Sequence, residues 1–190
     1  MSWLSESAAL VRQSALYFPK NLNALGAGCL LASASLLSLA AHAAPRGVAL
    51  SERAEQCIAG AALYHHVNAA VLKAIVRHES RGRANTITRN SNDTIDVGLT
   101  GINSVHFPEL RQKGVAPEHL LDECVSVYVG AWKYSKKVYK YGNSWRAIGA
   151  YHSETAYYNS RYQTLIYNEL VDMGVILNGL KLRAPSIMRP

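Results

Sequence analysis

The sequence offers few of the usual signatures of chemistry. His78-Glu79 is not followed by the second histidine of an H-E-x-x-H zinc helix, because Gly82 stands in its place. His65 and His66 are adjacent and cannot share a helix face. No metal site and no cofactor are expected. The G-x-S-x-G elbow of serine hydrolases is missing, and no internal repeat occurs. Acidic residues are scarce: 13 Asp and Glu stand against 20 Lys and Arg, for a formal net charge of +7. Such a surface favours anionic partners, nucleic acid, lipid headgroups or an acidic wall polymer.

Long hydrophobic runs are equally scarce, and the one present restricts that choice. Residues 24–43, "ALGAGCLLASASLLSLAAHA", are uncharged, follow Arg12 and Lys20, and end in Ala41-His42-Ala43, an A-x-A cleavage pattern. Residues 1–43 therefore read as a signal peptide or an uncleaved membrane anchor, and the remainder as exported and periplasmic. Gly26, not leucine, stands three residues before Cys29, which argues against a lipoprotein. Export makes nucleic acid an unexpected partner. The run "KYSKKVYKY" from Lys133 fits this: Lys133, Lys136, Lys137 and Lys140 read as a solvated face over a buried Tyr134, Val138 and Tyr141. Only three cysteines occur. Once Cys29 is removed, Cys57 and Cys124 remain, an even pair that reads as a disulfide in an oxidising compartment or as two separate buried thiols.

With 49% hydrophobic and 17% charged residues, 190 residues suit one globular domain, placed at 44–174 and followed by a basic, proline-punctuated, flexible tail at 175–190. Ser51 starts a helix to about His66 with Cys57, Ala61 and Tyr64 inward. Asn68 starts a second that stops near Gly82. "TITRNSNDTIDVGL" reads as a β-hairpin with Ile95, Val97 and Leu99 on one face and Asp96 on the other. Pro108 opens a short helix ending at Gly114, Pro117 a long one ending at Gly142, Ser144 one through "WRAIGAYHS", and Thr155 one to about Gly174. The class is α+β, mostly helical.

In the second helix Leu72, Ile75 and Val76 recur at the spacing of a buried face, and Glu79 is the next position on it. Lys73, Arg77 and Ser80 form the opposite, water-facing row. A carboxylate on an apolar stripe at a helix C-terminus is disfavoured as an anion by desolvation and by the helix dipole, so its pKa rises. A carboxylic acid that keeps its proton near neutrality suits protonation of a glycosidic oxygen, although pairing with Arg77, Arg81 or Arg83 explains a helix-end glutamate equally well.

"HESRG", then "DVGLTGINS" at 96–104, then "AIGAYHS" at 147–153 and a late Tyr162 resemble, in order and spacing, the motifs of the soluble lytic transglycosylases. The resemblance runs from about Glu55 to Asp172 and is closest to small exported members associated with conjugation and type III or IV secretion, in wording to the conjugal-transfer TrbN type. It implies a lysozyme-like fold with a small hairpin after the catalytic helix, and activity on peptidoglycan glycan strands. Glu79 then matches the catalytic acid and Ser80 the serine that orients the site. Gly98, Leu99, Thr100, Gly101 and Asn103 match the strip along the glycan cleft, with Thr100 and Gly101 where Met and Gln are usual. Tyr151 matches the tyrosine of the Ala-x-Tyr-Asn motif, with His152 replacing its asparagine. Asp96 is read either as a cleft-lining residue or as the second carboxylate of a lysozyme-type hydrolase. A non-catalytic wall-binding component of a transfer apparatus is the remaining alternative.

Overall fold

The computed structural model describes residues 48–186. The apolar N-terminal run, its A-x-A end and Cys29 lie outside the described residues. Among the described residues no helix is long and apolar enough to cross a membrane.

Helix α1 spans Glu52–Tyr64. Ser51 Oγ caps it by accepting from Ala54 N at 3.0 Å and donates to the Glu123 carboxylate. Its inward face is Ala54, Ile58, Ala61 and Ala62. Tyr64, expected inward, is 54% exposed. It is the last residue of the helix, and its ring rests against those of His65 and Tyr128. Cys57 is disulfide-bonded to Cys124 across 67 residues, which resolves the two readings of that pair and removes about 4 kcal/mol of unfolded-chain entropy.

Helix α2, Ala69–Ser80, is capped by Asn68, whose Oδ1 accepts from Val71 N. It runs through the middle of the fold. One side meets the α1 cluster through Leu72 and Val76, the other a second cluster through Val71 and Ile75. The expected wet row is therefore corrected. Arg77 is 7% exposed, donating to Val48 O at 2.7 Å and pairing with Glu169 at 3.2 Å, while Ser80 is 0% exposed. The helix ends as Arg81 and Gly82 both turn left-handed.

Strands β1 (Ile87–Arg89) and β2 (Ile95–Val97) form the expected antiparallel hairpin, with Thr88 opposite Asp96. A two-residue strand β3, Ile102–Asn103, adds to β2 with Asn103 opposite Asp96. Val97 and Ile102 seat this sheet on Phe107, Leu110, Leu120 and Val129. Helix α3 is Phe107–Gln112, with Pro108 in its first turn and Gly114 just beyond. The single long helix expected from Pro117 is two elements. A 3-10 turn, Pro117–Leu121, stops at extended Asp122, whose carboxylate accepts from Cys124 N and Val125 N and so starts α4, Glu123–Tyr141. A side-chain cap at these amides competes with continuing the helix backward.

Helices α5 (Trp145–His152) and α6 (Ala156–Asp172) complete the fold. They close over α2 and α4 with Tyr134, Ala147, Tyr151, Tyr162 and Ile166 buried together. The described residues beyond α6, through 186, have no regular structure but are held along that helix. Leu182 exchanges two hydrogen bonds with the Asn168 side chain, and Pro185 O accepts from Tyr157 and Arg161.

Candidate active site

Glu79 is the penultimate residue of α2 and sits where α2, α4, α5, α6 and the sheet converge. Tyr162 of α6, 2% exposed, donates its hydroxyl to Glu79 Oε1 at 2.5 Å. On the other side the backbone of Gly101 comes up to the second oxygen: a Cβ there would lie 2.8 Å from Oε2, and its φ of 58° is one that side chains rarely adopt. The carboxyl is thus enclosed by protein with a partial opening to solvent. Desolvation dominates its ionisation and pushes the pKa up to about 7. The Tyr162 hydrogen bond and Lys133 act against that rise, and Asp96 adds to it.

The donor is held by rings on three sides. His152 stacks on Tyr162 at 5.2 Å, nearly parallel, Tyr151 stacks at 6.2 Å, and His78 meets it edge-on at 5.4 Å. Burial raises the Tyr162 phenol well above its ordinary 10, so it remains a donor throughout the useful pH range. Burial also lowers the pKa of His78 and His152, which favours neutral rings beside the acid. Tyr151 is buried and donates its hydroxyl to Thr100 O at 2.7 Å, tying α5 to the strip after β2.

That strip does not present the side chains the sequence suggested. Leu99 and Thr100 are both 0% exposed. Leu99 packs in the α1 cluster, and Thr100 Oγ1 donates to Ser126 O at 2.7 Å, so neither reaches a ligand. Gly98 is buried as well, packed on the carbonyl of Leu120 with a φ of 79°. Only Gly101 and Asn103 of the strip reach the surface. Ser80, expected to orient the site, is turned inward: its Oγ donates to Val76 O and accepts from Gly82 N. It fixes the helix end that carries Glu79.

Asp96 lies on the facing wall. Each of its oxygens accepts an amide hydrogen, from Asn90 Nδ2 at 2.9 Å and Asn103 Nδ2 at 2.8 Å. Its charge is felt at Glu79, Tyr151, His152 and Lys133. Lys133 is the member of this group that sequence reasoning missed, because it stands among surface lysines. Its Nζ lies 4.1 Å from the centroid of the Tyr151 ring. The available signal was its place one turn after Val129 and Gly130, both buried.

The arrangement is a single carboxylic acid poised to give and regain a proton, gripped by one phenol and backed by a fixed carboxylate and a half-buried ammonium. Over 92 residues the chain is 38% identical to the invasion protein IagB of Salmonella typhimurium, covering 48% of this chain and 58% of that protein. It is 38% identical over 101 residues to the X polypeptide of Escherichia coli, covering 53% and 60% of the two chains. To the protein IpgF of Shigella flexneri it is 32% identical over 93 residues, covering 48% and 61%. The chain thus spans about three fifths of the length of these relatives. The model of the transglycosylase SLT domain matches residues 56–163, from within α1 to just past Tyr162 and over more than half of the sequence, and the chain belongs to that family.

Proposed function

We propose that the protein is a peptidoglycan lytic transglycosylase that cleaves the β-1,4 bond between N-acetylmuramic acid and N-acetylglucosamine. The observation that carries this reading is the solitary, proton-retaining Glu79 in a chain of this family. Protonated Glu79 gives its proton to the glycosidic oxygen as the bond from muramyl C1 breaks. The neighbouring 2-acetamido oxygen stabilises the developing cation at C1. Glu79, now a carboxylate, takes the proton of the same sugar's 6-hydroxyl, whose oxygen closes on C1. The product is a 1,6-anhydromuramic end, no water is consumed, and the acid is regenerated. Tyr162 steadies the carboxylate between the two proton transfers, since a hydrogen bond to an ion is stronger than one to its neutral form.

The two-carboxylate route of most glycosidases asks a second acid to activate water or attack C1. Asp96 is poorly suited, with both oxygens committed to side-chain amides. In the proposed reaction it has an electrostatic role.

The site works on an exported protein, in the periplasm, with residues 1–43 as signal or anchor, and opens the wall locally for a conjugation or secretion apparatus. The name of the invasion protein among the relatives supports the link to such an apparatus. Zymography on purified peptidoglycan tests the enzyme assignment: clearing by wild type and none by Glu79→Gln supports it, whereas equal inactivity of the two proteins would leave a wall-binding component.

A further inference from the structure

Three of the four lysines on the α4 run end on carboxylates at the surface. Lys136 pairs with Glu109 at 3.1 Å, Lys137 with Glu154 at 2.6 Å, and Lys140 with Glu154 at 2.7 Å. Among the described residues Lys133 makes no such ion pair; its ammonium rests on the Tyr151 ring at 4.1 Å. An ammonium taken out of water is costly without a nearby counter-charge, and a position needing only packing is served by leucine or methionine. The carboxylates whose charge reaches it are Glu79 and Asp96.

We propose that Lys133 is a positioning residue for the acid: held on Tyr151, its ammonium is the counter-charge for the Glu79 carboxylate left once the proton has moved to the leaving oxygen, and Asp96 opposes it. While Glu79 is protonated, Lys133 and Asp96 balance one another. When Glu79 ionises, Lys133 compensates the new charge, lowering the cost of the very state that the first proton transfer creates. The role rests on the transglycosylase reading, but the device is readable without turnover.

Several other titratable groups face this cluster. His78 comes from α2, Asp96 from β2, Lys137 from α4, Tyr151 and His152 from α5, Tyr162 from α6 and His106 from the turn before α3. The three histidines are shifted below their ordinary value, burial being the main cause in each. Both tyrosines are shifted well above theirs, also by burial. Glu79 is therefore the group that changes charge near pH 7. Lys133 follows it at about 8, burial lowering its pKa while Glu79 and Asp96 hold it up.

The test is a carbon-13 carboxyl NMR titration of Glu79 in the full chain, with its signal assigned by loss in Glu79→Gln, alongside pH–rate profiles on purified peptidoglycan. In wild type Glu79 titrates at about 7. Lys133→Met is expected to raise that midpoint by on the order of one unit, and Asp96→Asn to lower it by a similar amount. Lys133→Arg, which keeps the charge, leaves it within a few tenths. Turnover by Lys133→Met falls about tenfold at its optimum with KM little changed, and its high-pH limb moves upward. Lys133→Gln serves if the methionine variant does not fold. An unmoved Glu79 midpoint in the neutral variant, or shifts of the same sign in the lysine and aspartate variants, would overturn the role even if anhydro product forms. Missing anhydro product in wild type would instead sink the transglycosylase reading and leave the titration result standing.

Discussion

Replacing Glu79 with glutamine should make the protein more stable above neutral pH and leave it unchanged in acid. The folded protein moves this carboxyl from an ordinary 4.5 to about 7, chiefly by burial. A pKa raised on folding means that the native state holds the proton more tightly than the unfolded chain. The associated stability is fully present below about 4.5 and is lost as pH rises through 7. The shift corresponds to a ceiling of ~3 kcal/mol, and partial solvent contact brings the working figure to ~2 kcal/mol. Glutamine is neutral throughout and its carbonyl can still accept from Tyr162. Denaturant melts of both proteins at pH 4.5, 6, 7 and 8 should give a difference near zero in the most acidic sample, rising to ~2 kcal/mol in favour of the variant in the most basic. Groups common to both chains cancel in that difference, except Lys133, which Glu79 holds up and which titrates only at the basic end of this range. A gap that does not change with pH would refute the claim that the Glu79 environment resists its ionisation.

Tyr162→Phe removes the sole side-chain donor to the acid among the described residues. The Glu79 midpoint should rise by about one unit or more and turnover fall at least tenfold, seen by NMR titration and by muropeptide release. Thr100→Val should cost ~1 kcal/mol in a denaturant melt and leave KM unchanged, since its hydroxyl bonds Ser126 and not ligand; a raised KM would return Thr100 to the cleft. Cys57→Ser with Cys124→Ser should lower stability by 2 to about 4 kcal/mol and reproduce the melt of the reduced wild type. Arg77→Met should destabilise by about 3 kcal/mol in a denaturant melt, because it strands Glu169 against α2.

Glu79 could be read from the sequence because the three-and-four spacing of Leu72, Ile75 and Val76 continues onto it. The same reasoning misjudged Arg77 and Ser80. A helical period predicts one wet side only when a helix is covered from one side, and α2 is covered from two. Prolines marked the starts of α3 and of the 3-10 turn, but Asp122 resembles any acidic first-turn residue until its carboxylate is seen on two amides. Strand β3 is two residues long, too short for alternation to register. Thr100 and Gly101 looked like the loss of a sugar-binding side chain. In the structure one faces the core and the other makes room for the Glu79 carboxyl, so the substitutions concern the packing of the acid. Lys133 was concealed by composition, as one lysine in a run of four whose other members do face water.

The central claim is that one carboxyl acts first as acid and then as base, with the sugar's own 6-hydroxyl as nucleophile. Digestion of purified peptidoglycan in oxygen-18 water, followed by mass spectrometry of the released muropeptides, tests it most directly. Wild type should release anhydromuramic ends carrying no heavy oxygen, and Glu79→Gln should release nothing. Reducing ends that each carry one oxygen-18 atom would contradict the claim and place a water molecule in the reaction.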